Sequence, residues 1–271
     1  MVLKDKTLAF IGGGHITEIL VSNLIRTHTV APDQLLVSDP NRDRLQVLED
    51  KYVLRIAQDN LDAVIQGDLI FINVIPQVVD VVIQELRQFT FSSEKLLISI
   101  AAGIPMKKYA VLGEQLPIVR ALPNPPSQIG WGIAALAYNP YVSAEQRSMV
   151  AALFESLGEY VVLPEELINV VTALSSPAPV YLFFQALVDA GIRCGIDRNT
   201  STKIVYQTIA GSMEVWKARQ IPPSDLLAEA STPGGVSVEC LFTLDQYAFQ
   251  AAIKEAIERG AQKATGFSES F

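Results

Sequence analysis

Thr7-Leu8-Ala9-Phe10-Ile11-Gly12-Gly13-Gly14-His15-Ile16-Thr17 is the stretch on which the fold of this chain turns. Leu8 to Ile11 form an unbroken apolar run, suited to a parallel strand buried on both faces, and the glycines that follow let the backbone turn tightly. Helical spacing begins at once after them. A helix starting there presents unpaired amides and the positive end of its dipole, so the turn suits an anion such as a phosphate. Gly12 and Gly14 meet the spacing G-x-G-x-x-G/A, and Thr17 takes the third place, where a small residue normally lets helix and strand pack closely. Two readings stand: a pyrophosphate cradle, or the ordinary first crossover of an α/β domain.

Outward from the turn, Ile16, Ile19, Leu20, Asn23 and Leu24 keep helical spacing to about Thr27, and Leu35 to Ser38 read as a second strand ending at Asp39. A carboxylate at that strand end is where a dinucleotide fold holds ribose hydroxyls. Asn41, Arg42 and Arg44 follow, and the arginines suit a 2′-phosphate; equally, these polar residues open the helix Arg42 to Tyr52. The pattern repeats with a short helix at Asn60 to Ile65 and an apolar strand at Leu69 to Ile75, broken by Pro76 and Gln77. A helix at Val78 to Leu86, a strand at Leu96 to Ile100, a helix at Pro105 to Leu112 and a strand at Ile118 to Ala121 come next. Such alternation means right-handed crossovers and a parallel sheet. Ligands of such sheets bind at the carboxyl ends of the strands, where the Gly12, Ile75-Pro76-Gln77 and Ala101-Ala102-Gly103 turns fall.

Leu122 to Gly132 is too rich in Pro and Gly for helix or strand and reads as a structured loop: a lid, a substrate wall or a simple crossover. A strand at Ile133 to Ala137, a helix opened by the capping box Ser143 to Gln146, and an edge strand at Glu159 to Val162 complete the sheet. From Glu165 onward only helical spacing remains. The expected organisation is α/β: a Rossmann-like domain with a parallel sheet over 1–163, and an all-helical domain over 164–271. Phe183, Phe184, Leu187, Val188 and Ile192, with Ile204, Val205, Ile209, Met213 and Val215, make two helices apolar on more than one face. They suit either a buried dimer interface or a core.

Composition narrows the partners. The 271 residues are 49% hydrophobic, with 21 basic against 29 acidic residues, a net charge of −8. That balance argues against nucleic acid, which needs a basic face. Cys194 and Cys240 form no Cys-x-x-Cys pair and read as core residues; no metal site is expected. His28 reads as a surface residue at a helix end, and His15 is a poor general base without a partner nearby in sequence. With no signal-peptide pattern and no apolar run of about 18 residues, a soluble, cytoplasmic protein without a membrane span is expected.

The motifs together resemble those of the pyrroline-5-carboxylate reductase family from about Leu8 to Lys263. They are Phe10-Ile11-Gly12-Gly13-Gly14, Ile75-Pro76-Gln77, Ser99 to Ile104, Val119 to Asn124, Thr172 to Ser175, Ala190-Gly191-Ile192 and Thr232-Pro233-Gly234-Gly235-Val236-Ser237. The last is, by itself, a turn opening a helix, fit either to hold a carboxylate on its amides or merely to cap the helix. The resemblance implies an NAD(P)H-dependent reductase that converts a small cyclic imino acid to proline, built as a homodimer through its helical domain and often as a ring of dimers. It implies a catalytic hydroxyl at Ser237 facing the imine nitrogen, and substrate contacts at Thr232, Gly234, Gly235, Val236, Asn124 and Ser175. Cofactor contacts are implied at Gly12, Gly13, Gly14, His15, Ile16, Asp39, Asn41, Arg42, Val74, Ile75, Pro76, Gln77, Ala101, Ala102, Gly103 and Asn124. The chain departs from the family pattern at Ser175 to Tyr181, where two glycines are lost and Pro177 replaces a serine. Asn124-Pro125-Pro126, Ile75 and His15 depart as well. These departures leave open a different cyclic imine as substrate, or a homologue that binds nucleotide without catalysis.

Overall fold

The apolar runs become strands buried along their whole length: β1 (Leu8–Ile11), β2 (Leu35–Ser38), β4 (Leu69–Ile72) and β5 (Leu96–Ser99). This computed structural model describes residues 2–269. With β3 (Arg55–Ile56), β6 (Ile118–Pro123), β7 (Gly132–Tyr138) and β8 (Gly158–Val162), they form one sheet ordered β3-β2-β1-β4-β5-β6-β7-β8. Phe10 pairs with Val37 on one side and Phe71 on the other, and the two phenylalanine rings stack at 4.6 Å.

Helices cover both faces, as the fully buried parallel strands at its centre require. On one face lie α1 (His15–Arg26), α2 (Arg42–Tyr52) and α5 (Ala144–Glu155), whose Leu20, Leu24, Leu48 and Leu153 join Leu8 and Phe10 in one core. On the other, α3 (Asn60–Gln66) and α4 (Val79–Leu86) place Val64, Val82 and Leu86 against Ile11, Ile70 and Ile72.

Several expectations are corrected. The sheet is not wholly parallel: β7 runs antiparallel to β6. Residues 124–131 alone join the two strands, too few for a crossover, which takes a dozen or more. Much of that expected loop is a 3-10 helix, Pro125–Ile129, and Met106–Leu112 is likewise 3-10 rather than α. The strand expected at Leu69 to Ile75 stops at Ile72, and β3, two residues long, was not expected.

The chain divides into two compact units. The sheet, its helices and α6 (Ile168–Leu174) form the first, up to Ser175, which the chain rejoins from Arg259. The second spans Ser176–Glu258. It holds α7 (Ala178–Arg193), α8 (Arg198–Arg219), α9 (Pro223–Glu229), α10 (Val236–Gln246) and the start of α11 (Phe249–Glu269). Gly191 of α7 lets that helix approach Ser201 of α8, since a Cβ there would lie 2.6 Å from the serine hydroxyl. Large apolar side chains stay exposed, Leu182 at 73% and Tyr206 at 71%. Cys194 and Cys240 are exposed too, against expectation, because apolar neighbours on a helix do not imply burial when the helix leaves a whole apolar face uncovered.

Candidate functional site

A cleft of about 730 Å³ opens at the carboxyl ends of β1, β2 and β4. Gly12 takes φ +101, and a Cβ there would lie 2.7 Å from the Asn73 carbonyl, so only glycine lets β1 enter the turn. At Gly14, which lines the cleft, an added Cβ would meet nothing within 4 Å. No side chain caps the N-terminus of α1, so its first amides are left for an anion.

The turn's carbonyls are all engaged. The Gly12 carbonyl accepts from Thr17 Oγ1 at 2.5 Å, and the Gly13 carbonyl accepts from Arg44 Nε at 2.6 Å. The Gly14 carbonyl accepts from Arg44 Nη2 at 3.4 Å and from the Glu18 amide at 3.2 Å. On the amide side, Gly13 N–H donates to Asp39 Oδ2 at 2.7 Å, and Asp39 Oδ1 accepts from Asn41 N–H at 2.8 Å. Arg44 also reaches Glu18 at 2.6 Å, and Lys51 and Tyr52 hold the same carboxylate at 2.8 and 3.1 Å. Those hydrogen bonds, Lys51's foremost and then Arg44's, pull the Glu18 carboxyl down to about 2.

Beyond β2 the cleft has a polar and an apolar wall. Gln58 and Asp59 line it from the turn between β3 and α3, and Asn60 from the first residue of α3. Ser38 Oγ donates to Asn60 Oδ1 at 2.8 Å, Asn60 donates to Glu85 at 2.6 Å, and Arg42 donates to the Gln58 carbonyl at 3.3 Å. Val74, Ile75, Val78 and Val81 supply apolar lining. Apolar surface with a few convergent polar groups suits a planar heterocyclic base carried on a sugar.

Of the residues singled out in the sequence, Gly12, Gly14, Asp39, Arg42, Val74 and Ile75 meet in this cleft. Gly13 stands behind it on Asp39, and Asn41 caps α2 by accepting from Arg44 N–H at 3.1 Å. His15 and Ile16 open α1, and Pro76 and Gln77 form a 3-10 turn with Val78. Ala101, Ala102 and Gly103 follow β5 outside the cleft lining. Asn124 and Ser175 are brought together, the Asn124 amide donating to the Ser175 carbonyl at 3.2 Å and accepting from Ile133 N–H at 2.8 Å. In the second unit, Gly234 takes φ +71 and Gly235 N–H donates to the Thr232 carbonyl at 2.9 Å. Val236 then begins α10, with Ser237 exposed in its first turn.

Sequence reasoning missed Gln58, Asp59, Asn60 and Asn73 as lining residues. The signal for the first three was Asp59, which caps α3 by accepting from Asp62 N–H at 2.8 Å; without β3, that cap had no strand end to belong to. Also missed was Arg120, a charged residue only 4% exposed, which donates to Asn169 at 2.8 Å and pairs with Glu165 at 3.5 Å. Glu165 in turn accepts from Met106 N–H at 2.6 Å. Burial pushes the Arg120 guanidinium down. Among the described residues, no group of three or more His, Cys, Asp or Glu could hold a metal ion.

A helix-covered sheet with a glycine turn, an uncapped helix start and a carboxylate ending the second strand defines a dinucleotide-binding protein of the Rossmann type. Comparison with known proteins agrees and goes further. Residues 165–267 match the profile described as pyrroline-5-carboxylate reductase dimerisation, and residues 7–103 match that of NADP oxidoreductase, coenzyme F420-dependent. The chain is 34% identical over 270 residues to the pyrroline-5-carboxylate reductase of Corynebacterium melassecola, covering 97% of each. To that of Synechocystis it is 32% identical over 252 residues, covering 92% of this chain and 94% of the relative. The structure matches a pyrroline-5-carboxylate reductase from Coxiella burnetii with a TM-score of 0.89 at 25% identity, over 97% of this chain and 98% of the other. It also matches the Plasmodium falciparum pyrroline carboxylate reductase with NADP bound, TM-score 0.86 at 27% identity, over 98% and 99%. The chain belongs to the pyrroline-5-carboxylate reductase family.

Proposed function

We propose that this chain reduces 1-pyrroline-5-carboxylate to L-proline with NAD(P)H, in the cytoplasm and as a homodimer. The observation that carries the reading is likeness along nearly the whole chain to reductases of that name, above 30% identity in several. When bound, the cofactor supplies the hydride that reduces the C=N carbon. The glycine turn and the start of α1 are read as the pyrophosphate site, with Gly13, His15 and Ile16 as part of it. Asp39, Asn41 and Arg42 are read as facing the adenosine ribose. The turns after β4 and β5, Val74 to Gln77 and Ala101 to Gly103, with Asn124, are read as completing the cofactor site.

The substrate side is read in the Thr232 to Ser237 turn, with Asn124 and Ser175. Amides at Gly234, Gly235 and Val236 suit the substrate carboxylate, and the Ser237 hydroxyl suits the imine nitrogen as it gains electrons. We read the functional boundary between residues 163 and 164; the dimerisation match starting at 165 supports it, although the compact units divide after Ser175. Contrary to the expectation of no apolar run of about 18 residues, Glu165–Arg193 holds an 18-residue window apolar enough to cross a membrane by length and composition, and little of it is buried. A second copy of this chain is the occupant proposed for that surface, a reading the dimerisation match supports.

The test is loss of reduced nicotinamide with the five-membered imino acid, with proline identified as product. Absence of turnover from a protein that still binds NADH would favour the non-catalytic reading. Pro177, which caps α7 in place of the family's serine, favours one alternative, a different cyclic imine. The six-membered imino acid therefore belongs in the same assay, and faster turnover of it would replace the five-membered substrate.

A further inference from the structure

We propose that Arg44 is a positioning residue for the cofactor's pyrophosphate, holding the carbonyls of the glycine turn so that the turn's amides face the cleft. This rests on the reading of the cleft as a dinucleotide site. A trans peptide is planar, with its C=O and N–H on opposite sides, so fixing a carbonyl also aims the amide of the next residue. Arg44 Nε holds the Gly13 carbonyl at 2.6 Å, which aims the Gly14 amide; Nη2, 3.4 Å from the Gly14 carbonyl, aims the His15 amide. Those are the amides at the mouth of α1. The preceding peptide is fixed at both ends, its carbonyl by Thr17 Oγ1 and its Gly13 amide by Asp39.

Three successive glycines would otherwise carry the greatest backbone freedom in the chain, and an anion site built on mobile amides must order them on binding. The clamp removes that requirement. Arg44 is itself held through Glu18, a residue of the helix whose start it opens, at 2.6 Å. Lys51 and Tyr52 fix Glu18 in turn, and its lowered pKa keeps it charged at neutral pH. A planar guanidinium suits this task, because one rigid fork reaches two carbonyls and a carboxylate at once. Arg44 does not line the cleft, whereas Arg42 does. Arg42, not Arg44, is therefore the arginine placed to meet a 2′-phosphate.

Two nucleotide fragments separate the roles: ADP, with a pyrophosphate and no 2′-phosphate, and adenosine 2′-phosphate, with the reverse. Calorimetric titration of the full-length protein compares wild type with Arg44→Ala, Arg44→Lys and Arg42→Ala. Arg44→Ala should weaken ADP about tenfold while leaving adenosine 2′-phosphate within about twofold, and Arg44→Lys should restore little, since one ammonium cannot bridge both carbonyls. Arg42→Ala should do the opposite. In turnover, Arg44→Ala should raise KM for NADH by more than it lowers kcat. Unchanged ADP binding, a larger loss for adenosine 2′-phosphate, or an equal loss of both with a lowered Tm would each overturn the role. Wild-type protein that binds neither ADP nor NADH would instead bring down the dinucleotide reading itself, and the Arg44 role with it.

Discussion

Asp39 faces two ways, toward the glycine turn through Oδ2 and toward the start of α2 through Oδ1. Each oxygen keeps a lone pair for a ribose hydroxyl, while its charge opposes a 2′-phosphate. NADH is therefore expected to bind at least as well as NADPH. Asp39→Asn should shift the ratio of dissociation constants toward NADPH by about tenfold, roughly 1.4 kcal/mol. Fluorescence titration with both cofactors checks this, and a wild-type preference for NADPH beyond about tenfold would mean that Arg42 outweighs the carboxylate. The role proposed for Ser237 gives the sharpest test of mechanism. Removing a preorganised donor from a developing charge costs about 10²-fold or more in turnover, whereas losing a helix cap costs on the order of 1 kcal/mol of stability. Ser237→Ala should lower kcat strongly with Tm little changed, and Ser237→Thr should keep activity. If Ser237→Ala melts early yet turns over normally, the hydroxyl serves the stability of α10 and the proton comes from elsewhere. The glycine turn and Asp39 were legible because backbone freedom and charge are written in residue type. Arg44 was legible only as a cation near a strand end; which carbonyl a long side chain meets depends on packing between α1 and α2.

At the scale of elements, the first turn of α1 carries a pH response. The Glu18 carboxyl lies near 2 in the folded chain against an ordinary 4.5. Its stabilising contribution is full above about pH 4.5 and is lost as the pH falls toward 2. Glu18→Gln should melt below wild type at neutral pH, and the gap should narrow as the pH drops below 4.5; a gap that stays constant across thermal melts in that window would exclude this cause. A second prediction belongs to the strand edge. Gly158 opens β8 at φ +133, and a Cβ there would lie 2.2 Å from the Gly132 carbonyl. Gly158→Ala should cost about 3 kcal/mol or more and lower Tm by roughly 6–12 °C by scanning calorimetry. Apolar runs and helical spacing revealed most elements. They did not reveal β3, since two residues show no periodicity, nor the direction of β7, since alternation is the same read either way along a strand.

The whole molecule leaves a large apolar surface on α7 and α8, where Leu182, Tyr206 and Met213 are at least half exposed. A patch of that kind is covered in solution or it aggregates. Light scattering at low concentration should give twice the chain mass, and Leu182→Glu should yield monomer or precipitate; a stable, well-folded wild-type monomer would remove the dimer from the account. The apolar excess of those helices was plain in the sequence, but a core and an interface have the same composition, so the expected burial of Cys194, at the end of α7, failed, as did that of Cys240 in α10.

The return of the chain to its first unit after Arg259 has a bearing on how the protein is made. Within that unit, Gly260 passes so near α6 that a Cβ there would lie 3.0 Å from that of Ala173. A ribosome delivers residues in order, at about 5–20 per second, and domains fold as units once their residues have emerged. The sheet therefore waits, without the piece that packs on α6, while the whole of Ser176–Glu258 is translated. The helices that carry the exposed apolar face are thus made before the last stretch of the unit that brackets them.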